Sequence, residues 1–386
     1  MKTALSQFAL VLTLSASVTA LAAGSALAQN PTMPAKPPTA SAMADDSGTM
    51  ARADKEDMAP VLKKLMELGA KPVEKLTVEQ ARTQPTPADA VKAVLKDQGK
   101  DAMALMAAMK IKKQDLSYPT AGGTQPIRIY TPEGASGPLP VIVYIHGGGW
   151  VIADIDTYEA SAMALAKKAN AIVASVEYRK GPEHKFPAAH EDAFAAYKWV
   201  LENAKSWNGD TSRVAIAGES AGGNMAVTTA IMARDQKVQL PLHMLLVYPV
   251  AGTDLTTESY KKNEKAMPLS KAGIEWFVDK YLGKPEDMKS PLLNLYSQAD
   301  LKGLPSATII NAEIDPLLSD GELLAASLKK AGVDVTRQVH EGVTHEFFGM
   351  DAVLDDAMRA QEQAVTALKG AFAMGANTGT SPRPRQ

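Results

Sequence analysis

Val214-Ala215-Ile216-Ala217-Gly218-Glu219-Ser220-Ala221-Gly222-Gly223-Asn224 is the stretch on which the fold turns. Its first four residues, small or β-branched and all apolar, predict a buried strand over Val214–Ala217. The run from Asn224 to Arg234 predicts a helix. Between them stands a G-x-S-x-G pattern, Gly218 to Gly222. A strand that bends sharply into a helix at such a pattern lifts the serine oxygen above the sheet, at the positive end of the helix dipole. Gly218 and Gly222 are small because side chains there would meet the neighbouring strand and helix. The pattern alone recurs by chance in roughly one chain in ten of this length, so its partners must decide the reading.

Upstream, the apolar strand Val141–Ile145 ends in His146-Gly147-Gly148-Gly149-Trp150. Consecutive glycines let the backbone turn and present bare N–H groups to a developing oxyanion. Gly147, Gly148 and Gly149 are the candidate donors, joined by the N–H of Ala221 just after the serine. A phosphate cradle would need Lys followed by Ser or Thr after the glycines, and Trp150-Val151 stands there instead. Trp150 and Glu219 are candidate substrate contacts.

Downstream, a serine nucleophile needs a base, and the base needs an orienting carboxylate, in the chain order Ser, Asp or Glu, His. Of six histidines, only His340 and His345 lie late enough. His340 ends a predicted strand, Val335–Val339, where alternation gives a structural position, whereas His345 sits in the loop beyond it and is the expected base. Glu313, Asp315 and Asp320 follow the predicted strand Ala307–Asn311. Asp315-Pro316-Leu317 falls at that strand's carboxyl end, where ligands gather in open α/β sheets, and Asp315 is the expected acid. Asp320 reads as the N-cap of the next helix.

Around these motifs, strands alternate with helices. Further strands are predicted at Pro126–Tyr130, Ala171–Val176 and Met244–Tyr248, and helices at Thr157–Asn170, Ala188–Asn203, Gly321–Ala331 and Leu354–Ala373. The alternation predicts the α/β class, a mostly parallel sheet covered on both faces.

The N-terminal third has a different texture. Lys2, the apolar stretch Phe8–Ala23 and Ala26-Leu27-Ala28 read as a signal peptide over residues 1–28, cleaved after Ala28, which implies a periplasmic or secreted protein. Residues 29–52, rich in Pro, Ala, Ser and Thr, read as a disordered linker. Residues 53–117 read as a helical cap. It holds Val61, Leu62, Leu65, Met66 and Leu68 at helical spacing, a helix near Thr77–Thr83 capped by Thr77 with Gln80, and a long helix over Pro87–Met109. Met103, Met106 and Met109 form a stripe, expected in the core, with a flexible wall over a pocket as the alternative. Residues 118–374 read as the catalytic domain and 375–386 as a disordered tail.

The 386 residues carry a formal net charge of −2 and no cysteine. No phosphate-binding surface is suggested, so no nucleic-acid partner is expected. Disulfides, thiolate nucleophiles and Cys-ligated metals are excluded by composition. No segment of the mature chain is long and apolar enough to span a bilayer.

These residues resemble the hormone-sensitive-lipase-like branch of bacterial esterases, family IV, whose fold is the α/β-hydrolase. The resemblance covers about Lys55 to Phe372 and rests on His146–Gly149, Tyr178-Arg179 with Pro182-Glu183-His184 and Phe186-Pro187-Ala188, Gly218–Gly223, Asp315-Pro316-Leu317 and His345. Leu76-Thr77-Val78-Glu79-Gln80-Ala81-Arg82 is similar to part of that family's N-terminal cap. The chain departs from the family pattern at Lys180-Gly181, where Leu-Ala is usual, at Glu219, where Asp is usual, and at Glu346-Phe347, where Gly-Phe is usual.

The resemblance implies a serine carboxylesterase acting on short- to medium-chain esters through an acyl-enzyme on Ser220, with Asp315 and His345 and neither metal nor organic cofactor. It also implies a cap, built from the N-terminal helices and the insert near Asp254–Leu282, that shapes the acyl pocket. Trp150, Trp276, Phe277 and the Met stripe are candidate walls. The expected partner is a small ester, and a homodimer is left open. A carbohydrate deacetylase or a peptidase on the same fold is the enzymatic alternative, and a non-catalytic ligand-binding homologue is the other.

Overall fold

The computed structural model describes residues 48–54 and 56–378. The expected signal peptide, most of the linker and the last eight residues lie outside the described residues.

Among the described residues eight strands form one sheet: β1 Ile111–Thr120, β2 Gly123–Pro132, β3 Leu139–Ile145, β4 Ile172–Val176, β5 Gly209–Glu219, β6 His243–Val247, β7 Ser306–Ile314 and β8 Val335–Thr344. Their spatial order is β1-β2-β4-β3-β5-β6-β7-β8. The hairpin β1–β2 and the β2–β4 pair are antiparallel, and every pairing from β4 through β3 to β8 is parallel. The central strands are continuous apolar runs because both faces are covered. All seven residues of β3 are buried. Val141, Val143 and Ile145 join one core cluster, and Ile142 and Tyr144 join the other.

Among the described residues twelve α-helices accompany the sheet. In the N-terminal part they are α1 Thr49–Arg52, α2 Met58–Glu67, α3 Val78–Thr83, α4 Pro87–Asp97 and α5 Ala102–Ala108. Then come α6 Glu159–Ala169, α7 Ala188–Asn203 and α8 Ala221–Asp235. The insert between β6 and β7 carries α9 Glu258–Lys262 and α10 Lys271–Tyr281. The last two are α11 Leu318–Lys330 and α12 Asp355–Thr378. α7, α8 and α11 cover one face of the sheet, and α6 and α12 cover the other, joined there by α2 and α4.

The structure changes several sequence expectations. The strand β1 occupies residues assigned to the cap. Its Lys112-Lys113-Gln114-Asp115 run is exposed at the sheet edge and carries no apolar alternation to betray it. The expected helix Pro87–Met109 breaks around Gly99, which takes a left-handed φ of 70°, so α4 and α5 are separate. In the Met stripe, Met103 is 70% exposed, while Met106 and Met109 lean on the core, and none of the three lines the cavity described below. The terminal helix runs on through Gly375 to Thr378, so part of the expected tail is helical. Thr77 does cap α3, its hydroxyl accepting from Gln80 N at 3.2 Å while Gln80 Oε1 accepts from Thr77 N at 3.0 Å.

That short helix is tied to the body of the protein by Arg82. Its Nε donates to Val151 O at 2.9 Å, Nη2 donates to Gly181 O at 2.8 Å, and the guanidinium grips Glu183 with both nitrogens. The cap is thereby bonded to the loop that leaves the triple glycine.

Candidate active site

At the end of β5 the chain turns through Ser220 with φ 56° and ψ −119°. A non-glycine residue holds a positive φ only where its surroundings over-determine it. Here Ser220 N donates to Val247 O at 2.9 Å, and Ser220 O accepts from Val250 N at 3.1 Å and Asn224 N at 3.2 Å. The turn also needs its flanking glycines. A Cβ on Gly218 would lie 2.1 Å from Gly222 O, and one on Gly222 would lie 2.0 Å from Ile145 O. α8 begins at Ala221, directly behind the serine, three residues earlier than the sequence suggested.

Three sequence-distant side chains meet at this turn. Ser220 Oγ lies 3.0 Å from His345 Nε2, and His345 Nδ1 lies 2.7 Å from Asp315 Oδ2. Asp315 follows β7 and is fully buried, its Oδ1 accepting from Leu317 N at 2.9 Å. His345 immediately follows β8, which extends to Thr344 rather than stopping before His340. Burial alone would depress the His345 imidazolium. The Asp315 charge and hydrogen bond, reinforced by Glu346 and Glu219, outweigh it and hold His345 above its ordinary 6.5. His340 stays inside β8, buried, with Nδ1 3.2 Å from Asp356 Oδ1. Asp320 does not cap α11. It is buried in the first turn, and its Oδ2 accepts from Ala251 N at 2.8 Å and Gly252 N at 3.1 Å.

Of the expected oxyanion donors, Gly148 and Gly149 face the cavity above Ser220. Gly147 lies beneath them, its Cα so close to the Tyr158 hydroxyl that a Cβ would come within 2.4 Å. The loop is braced from behind: Tyr178 Oη donates to Gly147 O at 2.7 Å, and the His146 ring stacks on Tyr178 with centroids 4.4 Å apart. His146 Nε2 lies 3.2 Å from Glu177 Oε1. Burial would raise the Glu177 carboxyl, but His146 and Lys180 bring it down to about 2. Trp150 lines the cavity and stacks on Tyr281 at 5.0 Å.

Glu219, expected to contact substrate, does not line the cavity. Ser220's turn sends its side chain to the opposite side, where it is buried among Tyr144 and Tyr248, whose hydroxyls each donate to one of its carboxylate oxygens. Burial pushes this carboxyl up to about 7 in spite of the tyrosine hydrogen bonds. The Tyr248 ring in turn lies 4.4 Å from the His345 ring. Three site residues went unread in the sequence: Tyr248, Tyr158 and Glu346. Tyr158 Oη donates to Glu346 Oε1 at 2.6 Å across 188 residues, and Glu346 Oε1 lies 3.8 Å from His345 Nε2. Only the Glu346-Phe347 departure from Gly-Phe offered a sequence signal.

Ser220 opens into a cavity of about 1090 Å³. Leu65, Met66 and Val73 from the N-terminal cap and Leu269, Ile274 and Phe277 from the insert supply apolar wall, while Trp276 does not reach it. Among the described residues no cluster of three or more His, Asp or Glu is arranged to hold a metal ion. No described helix is long and apolar enough to cross a membrane.

Comparison with known proteins agrees with this geometry. Residues 142–349 match a family described as having the alpha/beta hydrolase fold. The chain is 39% identical over 272 residues to carboxylesterase NlhH of Mycobacterium tuberculosis, covering 69% of this chain and 85% of that one. It is 32% identical over 259 residues to an ethyl acetate hydrolase of Pseudomonas putida, covering 66% and 81%. An esterase from Pyrobaculum calidifontis superposes with a TM-score of 0.69 at 36% identity, over 77% of this chain and 94% of that one. A thermostable esterase from Pseudomonas putida superposes with a TM-score of 0.71 at 30% identity, over 83% and 98%. The strand order, the serine elbow and these likenesses together place the chain in the α/β-hydrolase family, within its hormone-sensitive-lipase-like branch.

Proposed function

We propose that this carboxylic ester hydrolase cleaves short- to medium-chain esters through an acyl-enzyme on Ser220. The observation that carries the reading is the continuous hydrogen-bonded line Ser220–His345–Asp315, with steps of 3.0 and 2.7 Å, at the floor of an apolar cavity.

Asp315 accepts a hydrogen bond from Nδ1–H, so Nε2 is the basic nitrogen that faces Ser220. As Ser220 Oγ bonds to the ester carbonyl carbon, its proton passes to Nε2. The carbonyl oxygen takes up the negative charge, and the glycine loop with Ala221 N–H receives it. Each such donor is worth about 3 kcal/mol of barrier. His345 then gives its proton to the departing alcohol oxygen as the carbon–oxygen bond breaks. A water enters, loses a proton to Nε2, and attacks the acyl carbon. Collapse returns the proton to Ser220 and frees the acid. The apolar wall supports an aliphatic acyl group. We also propose export, on the sequence of residues 1–28, with the mature chain starting at Gln29.

The test is a p-nitrophenyl ester series from acetate to palmitate with Ser220→Ala as control. Turnover should peak at short chains and vanish in the variant, whose circular dichroism spectrum should match the wild type. Undiminished turnover by Ser220→Ala, or peptide cleavage without ester cleavage, would refute the reading. N-terminal sequencing of the exported protein checks the cleavage site.

A further inference from the structure

Glu346 is an acid in an unusual position. Its backbone is left-handed, with φ 73°, a conformation that costs a non-glycine residue of order 1 kcal/mol or more. Its side chain lines the cavity and is 23% exposed. Oε1 is fixed by the Tyr158 hydroxyl at 2.6 Å and stands 3.8 Å from His345 Nε2. Among the described residues no Lys or Arg comes within ion-pairing distance of it, and its one ion-pair contact is His345 itself. Glu219, a buried acid that feels the Glu346 charge, has its carboxyl pushed up to about 7 and so carries only part of a negative charge near neutrality. A fixed, cation-free carboxylate therefore borders the reacting nitrogen and opens into the substrate cavity.

The position bears on one half of the ester. His345 Nε2 must hand its proton to the alcohol oxygen, so that oxygen sits within hydrogen-bond reach of Nε2. The alcohol oxygen then lies within about 7 Å of Glu346 Oε1, a hydrogen bond of about 3 Å on one side of Nε2 and 3.8 Å on the other. We propose that Glu346 is a specificity-determining residue that selects esters whose alcohol portion carries a positive charge close to the ester oxygen. This inference rests on the esterase reading above. A charge pair at this separation in a partly solvated cavity is worth about three- to tenfold in rate preference.

The experiment compares butyrylcholine with 3,3-dimethylbutyl butyrate, which has the same shape with carbon in place of the cationic nitrogen. The quantity read is the ratio of their kcat/KM values within each enzyme, so any general loss of activity cancels. In the wild type the choline ester should be preferred about three- to tenfold, by the same charge-pair reasoning. Glu346→Gln should bring the ratio close to unity, Glu346→Asp should retain part of the preference, and added salt should erode it in the wild type, which serves if the Gln variant folds poorly. An equal ratio in wild type and Glu346→Gln overturns the proposal. So does hydrolysis of the neutral ester with no preference for, or no turnover of, the cationic one, or a wild-type preference indifferent to salt. Failure of the wild type on p-nitrophenyl butyrate as well would instead remove the esterase reading beneath it.

Discussion

Glu219→Gln should flatten the pH dependence of folding stability. The wild-type carboxyl has an ordinary value of 4.5 and is pushed up to about 7 by burial between Tyr144 and Tyr248. Between those two values the unfolded chain has released this proton while the folded chain keeps it. The folded state then binds more protons, so stability falls as pH rises. The contribution is complete below 4.5 and is lost as pH climbs through 7. The gap corresponds to about 3 kcal/mol. Gln fills the same space and does not titrate, although one tyrosine hydroxyl must turn to accept rather than donate. Asp320, also pushed to about 7, adds a slope of the same sign, and His190 and His243, pushed down to about 4, add stability that is lost as pH falls below their ordinary 6.5. All three remain in the variant, so the difference between the two proteins isolates Glu219. Urea unfolding at pH 5 and pH 8 measures it. The variant should gain about 2.5 kcal/mol on the wild type between those two conditions, since a part of the effect is already spent at pH 5. A difference that stays constant from pH 5 to 8 would refute a protonated Glu219 beneath the site.

Three further outcomes are expected. Asp315→Asn should lower kcat on p-nitrophenyl butyrate by about 10⁴-fold, because the imidazole loses the acceptor that fixes its tautomer, and His345→Ala should be as severe while His340→Ala is mild. Equal losses at the two histidines in a turnover assay would undo the choice of base. Gly149→Ala should cut kcat/KM on the same ester by about 10–100-fold, since the added Cβ would lie 2.4 Å from the Phe277 ring on a backbone with φ 57°. Full activity there would mean the loop is free to move. Finally, the acid limb of kcat/KM should fall above pH 6.5. His345 must be neutral to act, burial opposes its charged form, and Asp315, Glu346 and Glu219 outweigh burial to favour it. Glu346→Gln should move that limb to lower pH, and a limb that stays put in the pH–rate profile would show that Glu346 does not act on His345.

The elements easiest to read in the sequence were those whose local pattern and tertiary role agree. The alanine face of Ala188–Asn203 gave α7 its full extent, and the valine- and isoleucine-rich runs located the central strands. β1 escaped because an edge strand needs no apolar alternation, and its Lys112–Asp115 run is polar throughout. The serine, the acid and the base were legible because each lies at the end of a strand whose position follows from the alternation of elements. Their supporting shell was not. Glu219 adjoins the nucleophile in sequence, yet the strained turn at Ser220 throws their side chains to opposite sides. Tyr158 and Glu346 are brought together by the contact of α6's start with the segment after β8, which no local pattern encodes.

That supporting shell has a chemical logic of its own. Besides Asp315, two acids near His345 are held by tyrosines: Glu219 by Tyr144 and Tyr248, Glu346 by Tyr158. Burial drives the hydroxyl of each of these tyrosines well above its ordinary value of 10, so all three remain donors across the working pH range. An arginine or lysine could anchor either carboxylate more strongly. It would also place a permanent positive charge a few ångströms from an imidazole that must itself become positive in each half of the proposed cycle, and a like charge at that range opposes protonation. Tyrosine fixes the acids without spending their field. Glu219 then serves to seat Tyr248 against the His345 ring, and Glu346, with no Lys or Arg paired to it among the described residues, is left to act on the imidazolium and, in the proposed reading, on the alcohol that departs beside it.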